Sequence, residues 1–132
     1  MTGFPALPHA PVSWGELLDK ITILEIKREK LTRQAALDNV NKELSLLRAL
    51  AAPVFAARAE IAPLLTRLKA INQTLWDLEE RIRAKDDSGA HDAEFVTLAR
   101  SIYKTNDGRA ALKKEINLGL GSELIEEKNY KR

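Results

Sequence analysis

Acid pairs three residues apart, and a scattered set of basic and aromatic side chains, are the features of this chain that could do chemistry. Glu16 and Asp19 form E-x-x-D, and Glu123 and Glu126 form E-x-x-E. Positions i and i+3 share one face of a helix, so two such pairs on neighbouring helices can hold a divalent cation among their carboxylates. A second set suits an anion or the charges of a partner. Asp19, Glu25, Lys27 and Arg28 stand on the first charged stretch, and Trp76 and Arg83 near the middle. Arg100, Tyr103, Asn106, Asp107, Arg109 and Lys113 follow in the C-terminal half. Packing does not account for these residue types, and a turn at Asn106 would let Arg100, Tyr103, Arg109 and Lys113 converge on a small-anion pocket.

The metal reading weakens residue by residue. The chain has 19 acids, so pairs at this spacing arise by chance, and Glu16 already has a capping role. The pairs resemble those by which all-helical nucleotide pyrophosphohydrolases hold magnesium, but in reversed order. His9 and His91 fall in expected loops with no acid three positions earlier, which excludes the Glu-x-x-His pattern of bundle-core iron or manganese sites. With no cysteine, thiolate nucleophiles, disulfides and Cys-type zinc sites are excluded as well. No serine–histidine constellation or phosphate-cradling glycine loop is recognisable. No catalytic residue, metal or cofactor is therefore assigned.

Charge is nearly balanced, with 21 Lys plus Arg against 19 Asp plus Glu. Acids interleave with bases, and the only basic doublets are Lys27-Arg28, Lys113-Lys114 and Lys131-Arg132. Nucleic-acid binding, which needs clustered cations against phosphate, is not expected. Neither a signal peptide nor a membrane span is evident, so a cytoplasmic location is the expectation.

These side chains must be positioned by helices. Residues 1–12 carry Pro5, Pro8 and Pro11, a spacing that predicts an extended arm. Ser13 and Glu16 form a capping box, with Val12 and Leu17 placed as a hydrophobic staple. Leu17, Ile21, Leu24, Arg28, Leu31 and Ala35 then recur at four-three spacing, with Lys20 set to pair with Glu16 one turn back. Leu37, Val40, Leu44, Leu47 and Ala51 form a second seam out of register with the first, which predicts a kink or break near Thr32 to Asp38. Pro53 is expected to end that segment.

Leu64, Leu68, Ile71, Leu75, Leu78 and Ile82 give the cleanest seam, on a helix opened or kinked at Pro63. Asp86-Asp87-Ser88-Gly89 should terminate it. Two short helices are expected next, near Asp92–Lys104 and Asp107–Leu118, joined by a Thr105–Gly108 turn. Phe95, Leu98, Ala99, Ile102, Ala111, Leu112 and Ile116 would face inward, and a stripe of Arg109, Lys113 and Asn117 would face solvent. The fold class is all-α: a long antiparallel helical hairpin, Ser13–Ala52 against Val54–Lys85, with a short helical hairpin packed on it. Two thin helices leave an apolar face uncovered, which the short hairpin or a second subunit in a dimeric bundle must cover. The division expected is an arm (1–12), a helical domain (13–122) and a charged tail (123–132).

Arg28, interrupting the first seam, makes the charged hairpin similar to the all-helical chorismate mutases, which grip a dicarboxylate with basic residues. Nothing else in the chain matches them, and a register-setting ion pair with a glutamate is the plainer account. Trp76 stands off its seam beside Lys69, Asn72, Gln73, Glu80 and Arg83, and needs a cover from the C-terminal helices, a partner or a ligand.

S-W-G-E-L-L-D-K-I-T-I-L-E-I-K (13–27), L-W-D-L-E-E-R-I-R (75–83), E-F-V-T-L-A-R-S-I-Y-K-T-N-D-G-R-A-A-L-K-K-E-I-N (94–117) and G-S-E-L-I-E-E-K-N-Y (121–130) together resemble a bacterial family of small helical proteins classed as a domain of unknown function. That resemblance implies a bacterial all-helical protein with no assigned activity, and it carries over no catalytic residue. The function expected is a coiled-coil-like interaction module that binds itself or another protein; the alternative is a helical protein or enzyme that takes a small anion such as a nucleotide, sugar phosphate or dicarboxylate.

Overall fold

The computed structural model describes residues 3–128 and contains four helices, with no strand among the described residues: α1 (Trp14–Lys30), α2 (Gln34–Ala57), α3 (Ile61–Asp87) and α4 (Ala93–Gly119). Residues 1–2 and 129–132, with the Lys131-Arg132 doublet and the ends of the arm and tail, lie outside the described residues. Residues 3–12 and 122–128 carry no helix.

The break in the first long arm falls at Leu31, Thr32 and Arg33, where the backbone turns extended and Leu31 N–H closes on the Lys27 carbonyl. The two out-of-register seams are thereby free to dock independently. Val40, Leu44 and Ala51 of α2 are buried with Leu17, Ile21 and Leu24 of α1. Pro53 does not end the segment. It lies inside α2, which continues to Ala57. Its ring stands on the exposed side, and the chain tolerates the lost donor for one more turn before Arg58 caps the helix.

The expected Thr105–Gly108 turn is absent, and α4 runs unbroken for 27 residues beside the 27 residues of α3. Arg81–Glu94 near one end and Arg67–Glu115 near the other fix the pair as antiparallel. A single long hairpin, α3–α4, therefore replaces the short one. Local turn chemistry loses here because Arg109 and Lys113 reach α1 only when α4 keeps its helical register through Gly108. Ala99 and Ala111, expected inward, are exposed, while Leu98, Leu112 and Ile116 are buried.

Both hairpin ends close with glycine in the left-handed region, which an L side chain adopts only with strain. After α3, Gly89 (φ +73°) lets Ala90 N–H reach the Lys85 carbonyl. After α4, Gly121 (φ +63°) lets Ser122 N–H reach the Asn117 carbonyl. At the start of α4, Asp92 is the cap, its carboxylate accepting from Phe95 N–H at 3.0 Å.

α1 is the central element. It packs against α2 on one side and against α3 and α4 on the other. Leu18 and Ile26, which stand off the sequence seam, are therefore as buried as Ile21, while the seam residue Arg28 is exposed in the last turn of α1. There Arg28, Lys27 and Lys30 face the negative end of the helix dipole. Among the described residues no helix is long and apolar enough to cross a membrane.

Candidate functional site

The first turn of α1 is bound to the last turns of α4 through backbone as well as side chains. Ser13 Oγ accepts from Glu16 N–H at 3.1 Å, as a cap should. The Glu16 carboxylate does not return the bond; it lies 2.8 Å from Lys113 Nζ. Gly15 N–H donates to Asn117 Oδ1 at 2.6 Å, and Trp14 N–H donates to Ser122 Oγ at 3.2 Å. Three of the amides left without intrahelical partners at the start of α1 are thus met, two of them from the far end of the chain. Gly15 permits this approach: a Cβ there would stand 2.6 Å from the Lys113 carbonyl oxygen.

One turn on, Asp19 is 1% exposed and fully engaged. Arg109 donates to both of its oxygens, from Nε at 2.9 Å and from a terminal nitrogen. Asn72 of α3 divides its amide group between Asp19 Oδ1 (2.9 Å) and Thr22 Oγ1 (2.8 Å), and Thr22 in turn donates to the Asp19 carbonyl (2.7 Å). Three helices meet in this network, and no buried side-chain nitrogen or oxygen among the described residues lacks a partner. Its hydrogen bond to Asp19 holds the Arg109 guanidinium above its ordinary pKa against the opposing effect of burial.

Lys113 is 8% exposed and bridges Glu16 and Glu126, the latter at 3.0 Å. Burial works against its charge, but the two carboxylates outweigh that and raise its pKa. Glu126 from the C-terminal tail, held by Lys128 first and Lys113 second, drops to about 2. Its folded value lies below the usual carboxylate range, so the contact stabilises the protein above about pH 4 and is lost as pH falls toward 2. Glu126→Gln is expected to lower stability at neutral pH and to make no difference near pH 2. Urea melts of both proteins at the two pH values check this, and an unchanged gap between them would refute it.

Of the two acid pairs, Glu16 and Glu126 do come together, but with the Lys113 ammonium between them. Asp19 turns to Arg109. The chain's own cations occupy the place a divalent ion would take, and no group of three metal-ligating side chains occurs among the described residues.

The other sequence candidates are placed as follows. Glu25 holds Arg48 of α2 at 2.5 Å and lies 3.8 Å from Lys69 of α3, which also bonds Glu29 at 2.8 Å. Lys20 pairs with Glu43 across the α1–α2 hairpin at 2.8 Å, and not with Glu16. Lys27 is half-buried near the end of α1, and Arg28 and Arg100 are exposed. Tyr103, Asn106, Asp107, Arg109 and Lys113 line one cleft of about 490 Å³ beside Glu16 and Glu126, without Arg100. The Arg109, Lys113 and Asn117 stripe faces α1, contrary to the solvated face expected for it. Trp76 is half-buried, its Nε1–H donating to Glu80 Oε1 at 2.8 Å, and with Arg83 it lines a second cleft of about 470 Å³. Asn106 and Arg109 reach both clefts.

Sequence reasoning overlooked Gly15 and Thr22, and it placed Asn72 beside Trp76 and Asn117 on a solvated stripe without seeing their buried bonds to α1. Gly15 and Thr22 each left a signal: a glycine inside a capped helix costs about 1 kcal/mol relative to alanine and implies close approach, and Thr22 interrupts an apolar run between Ile21 and Ile23.

No curated protein and no solved structure matches the chain. A model for a family described as a family of unknown function (DUF6165) matches residues 9–132, nearly the whole length, including every residue of the α1–α3–α4 network. The chain belongs to that family.

Proposed function

We propose that this protein is a helical interaction module that self-associates through the outer face of α2. The observation that carries the reading is the character of that face. From Ser45 to Ala57 its outward positions are Ser45, Leu46, Ala49, Leu50, Ala52, Pro53, Ala56 and Ala57, all exposed and none charged. Of the charged residues beside it, Glu43 pairs with Lys20 and Arg48 with Glu25, and Lys42 stands exposed just before Ser45. Leu46 is 43% exposed and Leu50 62%. They line a largely apolar groove with Leu7, Pro8 and Val12 of the arm, and the Lys20–Glu43 pair and Glu16 stand at its edge.

A second copy suits such a surface. A two-fold axis brings the face against itself with no like charges opposed, and small residues let helix backbones approach closely. Antiparallel pairing centred on Ala49 sets Lys42 opposite Ala56 of the second copy. That places a cation against a helix end whose last turn has no basic residue of its own.

The small-anion reading has less support. Arg109, Lys113 and Lys69 are each matched by carboxylates, which leaves little net positive field for an anion.

Sedimentation equilibrium is expected to show a dimer in the micromolar range. Ala49→Glu and Leu50→Glu, on positions already exposed, should each weaken association by about a hundredfold through buried unpaired charge while leaving far-UV circular dichroism unchanged. A monomer up to millimolar concentration, or a dimer indifferent to both substitutions, would sink the proposal.

A further inference from the structure

We propose that the cleft around Trp76 binds a neutral sugar ring. The cleft lies between α1, α3 and α4, and its volume of about 470 Å³ falls in the range of small-ligand sites. Its apolar lining is Trp76 with Leu75 and Ile23. The indole satisfies its N–H through Glu80 and stays half-buried. An aromatic ring left in this state on a folded surface is suited to a ligand that is itself apolar on one face and polar at its edge.

A pyranose has that character: axial C–H bonds on a face, hydroxyls around the rim. Asn72, Glu79, Glu80, Arg83, Asn106 and Arg109 line the remainder of the cleft. Carboxylate, guanidinium and amide groups each offer two hydrogen-bonding atoms in one plane, a match for vicinal hydroxyls. The charge balance selects against ions. Arg109 is already neutralised by Asp19, and Arg83 stands 3.3 Å from Glu79 while Glu80 adds one further negative charge. An anionic ligand would meet a net negative cleft, and a cation would forgo the two guanidiniums as partners. Asp19 and Asn72 act here as positioning residues, since the Asp19 network holds Arg109 between the two clefts.

The test uses the full chain carrying Trp14→Phe, so that fluorescence reports on Trp76. Methyl α-glucopyranoside, N-acetylglucosamine and maltose are titrated, with glucose 6-phosphate and glucosamine as charged counterparts. Saturation-transfer NMR on the wild-type protein and on the Trp76 and Asn106 variants supplies a readout independent of both tryptophans. The expected result is saturable binding of at least one neutral sugar, weakened about tenfold by Trp76→Ala and by Asn106→Ala and less by Trp76→Phe. Monosaccharide binding indicates a free sugar as the ligand; binding of maltose alone indicates a glycan chain. No saturable signal by either method, tighter binding of the phosphate or the amine, or binding unaffected at Trp76 would each overturn the proposal. A dimer-breaking substitution on α2 leaves this site in place, so the two readings fail separately.

Discussion

Asp19→Ala is expected to destabilise the protein by about 3–5 kcal/mol, because it strands the Arg109 guanidinium partly buried without its counter-ion. It also removes an acceptor from Asn72. Arg109→Ala should cost a similar amount by leaving a carboxylate that is 1% exposed unpaired. The side chain of Arg109 is itself only 26% exposed, so solvent screening does not rescue either variant. With a domain of this size holding about 5–15 kcal/mol in total, either single variant approaches the limit of folding. The double variant should be less impaired than the sum of the two, by about 1–3 kcal/mol, since it leaves no uncompensated charge. Urea unfolding of the four proteins completes the cycle. Single losses below about 1 kcal/mol would mean that the pair behaves like a surface ion pair and does not organise the fold.

Gly15→Ala should destabilise despite alanine's advantage of about 1 kcal/mol in a helix interior. The added Cβ would sit 2.6 Å from the Lys113 carbonyl oxygen and 3.0 Å from Asn117 Oδ1. The nearer atom is backbone and cannot swing aside, so α1 and α4 must separate. That stretches the Gly15–Asn117 hydrogen bond and the Glu16–Lys113 pair with it. A net loss of about 1–3 kcal/mol follows, the clash outweighing propensity. Gly108→Ala is the control with the opposite sign. A Cβ there meets only Ile71 Cδ1 at 4.0 Å, an ordinary contact, so the helix should gain about 0.5–1 kcal/mol. Urea midpoints that move the same way for both variants would show that close approach at Gly15 is not what the glycine is for.

Periodicity in the sequence was informative wherever one helix face met one neighbour. The seams of α2 and α3 are found buried or half-buried at the residues their spacing names, Val40, Leu44 and Ala51 in one and Leu68, Leu75 and Leu78 in the other. It misled where a helix has neighbours on two sides, as for the seam position Arg28 of α1, which is exposed. It also misled where local turn propensity competed with tertiary contacts, as at Thr105–Gly108.

The sequence by itself determined that this is a capped, all-helical chain without cysteine, because composition, capping and hydrophobic spacing act over a few residues. Only the tertiary structure decided what its charges are for. Asp19 lies 90 residues from Arg109 in sequence, and Glu16 97 from Lys113. Spacing along one helix cannot specify partners on another, because pairing at that range depends on which faces the hydrophobic core brings together. The first motif of α1 thereby resolves into the bracket that ties α4 and α3 to it.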